Sequence, residues 1–308
     1  MEHNLVNSIA IITPTFNQGE YIRRTIESVL SQEVEDLDYV VMDGGSTDET
    51  MEVLCSFGGK IRWKSEPDKG TADAINRGFL ASKGEIVAWL NSDDIYYPGA
   101  LKTVAEFLDA HPDVDVLYGK AHHIDADDRV LEAYPTEPFS WERLVETCII
   151  NQPAAFFRRR IIERFGALDT AYPHSVDYEL WIRWAKAGVR FQYLPKFLAA
   201  TRLHPEAKTI AKRVACHKDN NDILRRHLGK VPPRWLFAYA FAVVEERGLS
   251  RKRELSFVSA LTWEFVRASL RWNHGISKDL FETIRNYVWR KVRNKFSLKA
   301  ENADEGRI

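Results

Sequence analysis

Cysteine is scarce in this chain. There are three in 308 residues, Cys55, Cys148 and Cys216, with no CxxC and no pairing rhythm. That speaks against a disulfide framework or a cysteine zinc site, and it suits a reducing, cytoplasmic setting. Glycine-rich phosphate cradles are missing as well. The first strand candidate ends in Thr13-Pro14-Thr15-Phe16-Asn17, which is neither GxGxxG nor GxxxxGK[ST], so dinucleotide oxidoreductases and P-loop NTPases lose their signature. No apolar run is long enough to cross a bilayer: the longest, Trp235 to Val244, stops between Arg234 and Glu245. The opening MEHNLVNS is polar and acidic where a signal peptide would be basic and then apolar. Neither sign of charge dominates, with 43 Lys+Arg against 44 Asp+Glu, which argues against a surface built to hold nucleic acid. These absences point to a soluble or peripheral protein.

What is present is ordinary globular composition, 45% hydrophobic and 28% charged, with room for one large or two ordinary domains. Near-continuous apolar runs at 8–13, 37–43, 61–65 and 85–90 read as strands covered on both faces. Helical patterns lie between them at 20–32, 47–57, 71–83 and 98–110, and Ser46-Thr47-Asp48-Glu49 reads as a capping box for the second. Such alternation builds βαβ units and a parallel sheet whose ligand sits at the carboxyl ends of the strands. Further strands are expected at 114–119, 154–158 and 196–203, and helices at 178–187 and 208–228. Gly229 and Pro232-Pro233 mark the expected domain boundary: residues 1–229 form one domain, with halves of about 1–110 and 111–229, and 230–308 a helical extension. Charge is polarised about that break. Residues 231–298 carry thirteen Lys+Arg and six Asp+Glu, a balance of +7, against −7 for residues 1–230.

Two strand ends carry carboxylates, Asp43-Gly44-Gly45-Ser46 and Asn91-Ser92-Asp93-Asp94. Clustered carboxylates with few Cys or His suit a hard divalent ion, Mg²⁺ or Mn²⁺, bound through one or two acids and substrate phosphates. A single Asp-Gly is also common turn chemistry; two acidic strand ends beside TPTFN are harder to assign to turns.

The segments ITPTFNQGEYIRRTIESVLSQ, VMDGGSTDET, SEPDKGTADAINRGFLASKGEIVAWLNSDD, VDYELWIRW and TRLHPEAKT, in that order, resemble the family 2 glycosyltransferases. Members are inverting, nucleotide-sugar-dependent enzymes with a GT-A fold, a Rossmann-like mixed sheet flanked by helices. The resemblance implies that Thr13, Pro14, Thr15 and Asn17 lie against the donor and that Asp43 contacts its base. A carboxylate accepts from the ring N–H of uracil, thymine or guanine, so a UDP-, GDP- or dTDP-linked donor follows. It further implies that Asn91-Ser92-Asp93 stands for the DxD motif, with Asn replacing the first acid. Asp93 would then hold the metal, with Asp94 and His204 as further candidates. Asp68, Asp73 and Arg77 would lie near the nucleotide, the last two also reading as a plain i,i+4 ion pair. Asp177 is the general base that the pattern implies, with Glu179 as the alternative because Val176 replaces the usual Glu; Asp177 also reads as a helix cap. Asn151-Gln152-Pro153 matches a segment near the acceptor.

The resemblance implies transfer to a glycan or lipid-linked acceptor in cell-surface polysaccharide synthesis. Its competitors are an inactive nucleotide-sugar-binding module and a sugar-1-phosphate nucleotidyltransferase, which would want a Gly-rich loop where TPTFN stands. Residues 231–298 interleave Trp235, Trp263, Trp272 and Trp289 with Arg and Lys. They read either as helices lying in a membrane interface or as packing against the catalytic domain or a second subunit.

Overall fold

The apolar runs become strands because each has two faces to bury. The computed structural model describes residues 8–32, 34–249, 254–276, 278 and 281–287. It opens with β1 (Ile9–Thr15), α1 (Gly19–Leu30), β2 (Leu37–Asp43), α2 (Thr50–Ser56), β3 (Arg62–Ser65), α3 (Thr71–Ala81) and β4 (Ile86–Trp89). β1 and β4 are buried at every position, as expected of strands sheltered on both sides. The four strands pair in parallel in the order β3-β2-β1-β4, so their carboxyl ends form one row.

Local chemistry explains the details. α1 buries Tyr21, Ile22, Thr25, Ile26 and Val29, a stripe at helical spacing. α3 lies so close to β1 that a Cβ on Gly78 would stand 2.4 Å from Ile12 Cγ2; only glycine fits there. Pro14 is tolerated in this central strand because β1 pairs with β4 only from Ile9 to Ile12, and its missing N–H falls past the last rung. The capping box at 46–49 does not form. α2 begins at Thr50 with Glu49 as its cap residue, and no side chain caps it from there. Asp48 Oδ1 receives the Thr50 N–H at 3.1 Å instead, because Ser46 is committed to Asp43.

The second half adds β5 (Ile95–Tyr96), α4 (Ala100–Ala110), β6 (Val116–Ile124), β7 (Val130–Ala133), α5 (Trp141–Glu146), β8 (Ala155–Arg158), α6 (Arg159–Phe165), α7 (Val176–Lys186) and β9 (Phe191–Arg202). The sheet continues from β4 through β8, β6 and β9 to β5, with β7 against β6. β8 is antiparallel to both β4 and β6, whereas β6 and β9 run parallel. The sheet is therefore mixed. β9 begins five residues ahead of the expected strand at 196, and register shifts at Gly119–Ala121 absorb its irregularity. An aromatic cluster of Trp89, Phe157, Trp181 and Trp184 joins α7 to the sheet, with Trp181 stacked on Trp89 at 6.1 Å.

Two compact units divide at Ala211 and Lys212. The expected break at Gly229 lies later: the 208–228 helix is interrupted at Lys212 into α8 (Lys208–Ala211) and α9 (Arg213–Leu228). Gly229 does stop α9 in the left-handed conformation. Within the second unit α9 packs with α10 (Pro233–Glu246) and α11 (Glu254–Asn273). Trp235 and Trp272 are buried there, Trp272 donating to Asp222 at 2.6 Å, while Trp263 is exposed; Trp289 lies outside the described residues. Among the described residues no helix is long and apolar enough to cross a membrane.

Buried arginines close helix ends. Arg158, 3% exposed, donates to the carbonyls of Leu108 (2.7 Å) and His111 (3.3 Å) at the end of α4 and to Val114 (2.9 Å). Its neighbour Arg159 reaches Phe79 and Gly84 around the end of α3. Arg158→Met keeps the stem but removes the donors to three carbonyls, of which those of Leu108 and His111 keep a backbone N–H, so it should cost about 2–4 kcal/mol in chemical denaturation. A loss below about 0.5 kcal/mol would show that these bonds contribute nothing net.

Candidate active site

The two loops that follow β1 and β2 are stitched into one surface. Three consecutive backbone N–H groups of the first loop donate to side chains of the second: Asn17 to Ser46 Oγ (2.7 Å), Gln18 to Thr50 Oγ1 (3.0 Å) and Gly19 to Asp48 Oδ2 (3.0 Å). Asn17 Oδ1 accepts in return from the Thr47 N–H at 2.9 Å. Asn17, at φ 52°, sits in the left-handed region that asparagine tolerates. Asn17 is thus a loop-holding residue here. Of the two threonines, Thr13 is fully buried and its hydroxyl meets Tyr39 at 3.0 Å, so it belongs to the core. Thr15 reaches the strand end, where its buried hydroxyl has no hydrogen-bond partner among the described residues.

Asp43 ends β2, flanked in register by Thr15 and Ser65. Its carboxylate, 2% exposed, is the hub of the loop. Oδ2 accepts from Gly45 N (3.1 Å), Ser46 N (3.0 Å) and Ser65 Oγ (2.6 Å), and Oδ1 from Ser46 Oγ (2.5 Å). Asp68 leans over the adjoining Gly44, where a Cβ would stand 2.8 Å from Asp68 Oδ2 and 3.4 Å from the Phe16 ring. Asp68 Oδ1 accepts from the Gly70 N–H at 2.7 Å. Arg77 is bound to Asp73 (2.8 Å) and Glu66 (3.0 Å) and donates to the Pro67 carbonyl. The plain ion-pair reading of Asp73 and Arg77 describes their contacts: they brace the 66–70 loop.

The Asn91–Asp94 turn divides its two acids between inside and outside. Asp94 points inward at 2% exposure, accepting from the Arg202 N–H (2.9 Å) and from Asn91 Nδ2 (3.3 Å). Burial, reinforced by the Asp93 charge, pushes its carboxyl well above the ordinary range. The expectation of Asp94 as a metal ligand fails on this geometry, since both oxygens are turned to the interior. Ser92, also buried, gives its carbonyl to Thr25. Asp93 faces outward, 22% exposed, with Oδ2 at 3.0 Å from His204 Nε2. His204 comes 111 residues later in the chain. It is nearly buried and rests against the Tyr21 ring at 4.8 Å. The Asp93 hydrogen bond lifts its imidazole above the usual value. Arg202 fastens the junction by donating to the carbonyls of Asp93 (2.8 Å) and Asp125 (2.9 Å). Among the described residues no third His, Cys, Asp or Glu completes a metal cluster. An imidazole nitrogen beside a carboxylate nonetheless fits a divalent ion that draws its other ligands from phosphates.

The two candidate bases part company on α7. Glu179 is 1% exposed and gripped by Arg183 through Nε (3.0 Å) and Nη2 (2.9 Å). Arg183 also donates to the carbonyls of Phe165, Gly166 and Ala167. The alternative assignment of Glu179 fails on this geometry, because both oxygens of this buried carboxylate are taken up by the Arg183 guanidinium and none is turned to an acceptor hydroxyl. Asp177, half-buried in the first turn, is raised by burial, with the N–H groups of Tyr178 and of its own backbone partly opposing this. Ser175, not Asp177, is the cap residue. Trp181, one turn after Asp177, stacks on Trp89, the last residue of β4.

Phe16 and Arg202 escaped the motif reading at this edge, whereas Asn151 and Gln152 fall in the segment expected near the acceptor. Phe16 is 59% exposed beside Asp68 and Gly44; its signal was a lone aromatic between polar strand-end residues. Gln152 donates to the Trp89 carbonyl (2.7 Å) and accepts from Asn91 (3.2 Å), tying 151–153 to the turn. Asn151 accepts from Thr201 at 3.0 Å. Arg202 gave no signal beyond a cation before Leu203-His204.

The family model described as Glycosyl transferase family 2 matches residues 10–166. An uncharacterized glycosyltransferase of Rickettsia felis is 29% identical over 232 residues, covering 70% of this chain and 37% of that protein. A hyaluronan synthase of Pasteurella multocida is 28% identical over 226 residues, covering 72% of this chain and 23% of its own length. This chain thus spans well under half of either relative. Among solved structures, the mannosyltransferase PcManGT of Pyrobaculum calidifontis, in complex with GDP-Man and Mn²⁺, superposes with a TM-score of 0.58. The two share 18% identity, and the match covers 96% of this chain and 84% of that one.

The contrast between the paired acids can be measured. Asp94→Ala leaves the Arg202 N–H without its acceptor and should lose about 1–3 kcal/mol in denaturation. Asp93→Asn, which keeps an acceptor for His204 at a half-open site, should stay within about 0.5 kcal/mol of wild type. The reverse order would contradict the inward and outward assignment.

Proposed function

The chain belongs to glycosyl transferase family 2 and has the GT-A fold, and from that premise we propose that it transfers a sugar, with inversion, from a nucleoside-diphosphate donor to a hydroxyl of a glycan or lipid-linked acceptor. The observation that carries the reading is the outward Asp93 facing His204 at the carboxyl end of β4, where a parallel sheet takes its ligands. The stitched loops supply the donor seat. Thr15 has an unused hydroxyl, and Phe16 offers an exposed ring for a base. Asp43 Oδ1, with one bond made, has capacity for one ring N–H of uracil, thymine or guanine. The hyaluronan synthase likeness favours a glycan product in cell-surface polysaccharide synthesis, and the GDP-Man-bound neighbour favours a sugar nucleotide.

Asp93 and His204 would hold a divalent cation, Mn²⁺ or Mg²⁺. Such an ion neutralises charge on the departing diphosphate. Asp177 takes the proton from the acceptor hydroxyl as its oxygen attacks the anomeric carbon opposite the diphosphate; the C–O bond to the acceptor forms as that to phosphate breaks. Burial suits Asp177 to this task, since a carboxylate raised above its ordinary value is a stronger base. We assign the donor role to the half that ends at about residue 110 and the acceptor role to the half that follows.

Asp177→Asn should lower kcat by about 10²–10⁴-fold with donor affinity retained in calorimetry. The wild-type acid limb should lie above the ordinary carboxylate range and vanish in the variant. The sign for stability is fixed as well. A carboxyl raised by folding stabilises the native state at low pH and loses that contribution as pH rises through its folded value. Near neutrality the variant should therefore melt at or above the wild-type temperature. Near-wild-type turnover by Asp177→Asn would overturn the assignment.

A further inference from the structure

The second unit presents an outer surface that the transferase reading leaves without a task. α11 buries Phe257, Leu261, Phe265, Ala268 and Trp272 on one stripe. Its opposite stripe exposes Ser256, Ser259, Trp263, Arg267, Leu270 and Arg271. Trp263 is 63% exposed and Leu270 49%, two turns apart on the same face, with Arg267 between them. Just past the helix, Ile276 is exposed as well.

The charges decide which partner fits. Between Ser256 and Ile276 the sequence holds a single acid, Glu264, and it is 4% exposed, turned inward to Arg247 at 2.8 Å and Arg267 at 3.2 Å. The outward stripe thus carries arginines and no carboxylate. A symmetric dimer through this face would set arginines against their own copies, with no acid to neutralise them. A partner must be anionic and also accept an indole and a leucine. An anionic lipid headgroup layer over acyl chains offers both, and tryptophan prefers that boundary.

We propose that the exposed face of α11 is a membrane-docking surface that lays Trp263 and Leu270 into the interface of an anionic bilayer, with Arg267 and Arg271 at the headgroups. The surface is independent of the donor site, so its failure would leave the transferase reading untouched. It places the chain on a membrane, not through one. One aromatic, one aliphatic and two cations give weak, reversible, salt-sensitive attachment.

Flotation of the full chain with phosphatidylcholine vesicles, with and without about one-third phosphatidylglycerol, tests this. Binding is expected to the anionic vesicles at about 0.1 M salt, to fall sharply by about 0.5 M, and to be absent from neutral vesicles. Arg271→Gln should weaken binding about fivefold, and Trp263→Ala about tenfold or more. Both side chains are solvent-exposed, and unchanged far-UV circular dichroism and melting confirm that each variant is folded. A chain that stays unbound to anionic vesicles at low salt overturns the proposal. So does a Trp263→Ala variant that binds as wild type, or a Trp263-dependent dimer or RNA complex formed in place of vesicle binding.

Discussion

A carboxylate taken out of water must be given donors, and this constraint organises the carboxyl edge of the sheet. Asp43 is met by two backbone N–H groups and two serine hydroxyls, Asp94 by Arg202 and Asn91, and Glu179 by Arg183. Each of these acids is nearly fully buried, and each fixes a loop or helix by the donors it recruits. Asp93 and Asp177 differ. One looks outward to a histidine; the other sits at a helix start, raised by burial. The donors separate acids wholly committed to the edge, Asp94 and Glu179, from Asp93 and Asp177, while Asp43 builds the loop and keeps one oxygen with capacity to spare.

That separation gives the edge its rigidity. Loops after β1 and β2 are tied together because three successive N–H groups of the first end on side chains of the second. The turn after β4 is pinned from the other side by Arg202 and Gln152, from β9 and from the 152–154 turn. The proposed site, drawn from four separate loops, is thereby cross-linked at each of them. Low reorganisation is what positioning a sugar nucleotide for in-line attack requires.

Much of this was legible in the sequence, and the failures have physical causes. The parallel strands β1 to β4 and their helices follow from two-sided burial and 3.6-residue spacing. Elements of two to seven residues, β5, β7, α5 and α6, are too short to show a period. Motif position singled out Asp43, Asp93, Asp177 and His204 as candidates, but it could not tell which oxygens were already committed. Asp94 and Glu179 carry the right chemistry at the right spacing, and their roles are decided by Arg202 and Arg183 contacts that no local pattern encodes. The capping box at 46–49 failed for the same reason: Ser46 is claimed by a carboxylate three residues earlier. The break at Lys212 lies inside a continuous helical pattern, which is why Gly229 attracted the boundary instead.

The central claim is that Asp93 and His204, facing each other at the end of β4, hold a divalent ion on which donor binding depends. Thermal unfolding of the full chain with a set of nucleotide sugars, each with and without Mn²⁺, tests it directly through ligand linkage. A uridine-, guanosine- or thymidine-linked sugar should raise the melting temperature when Mn²⁺ is present, and the rise should vanish in His204→Ala. An equal rise without the metal, or an undiminished one in His204→Ala, would contradict the claim.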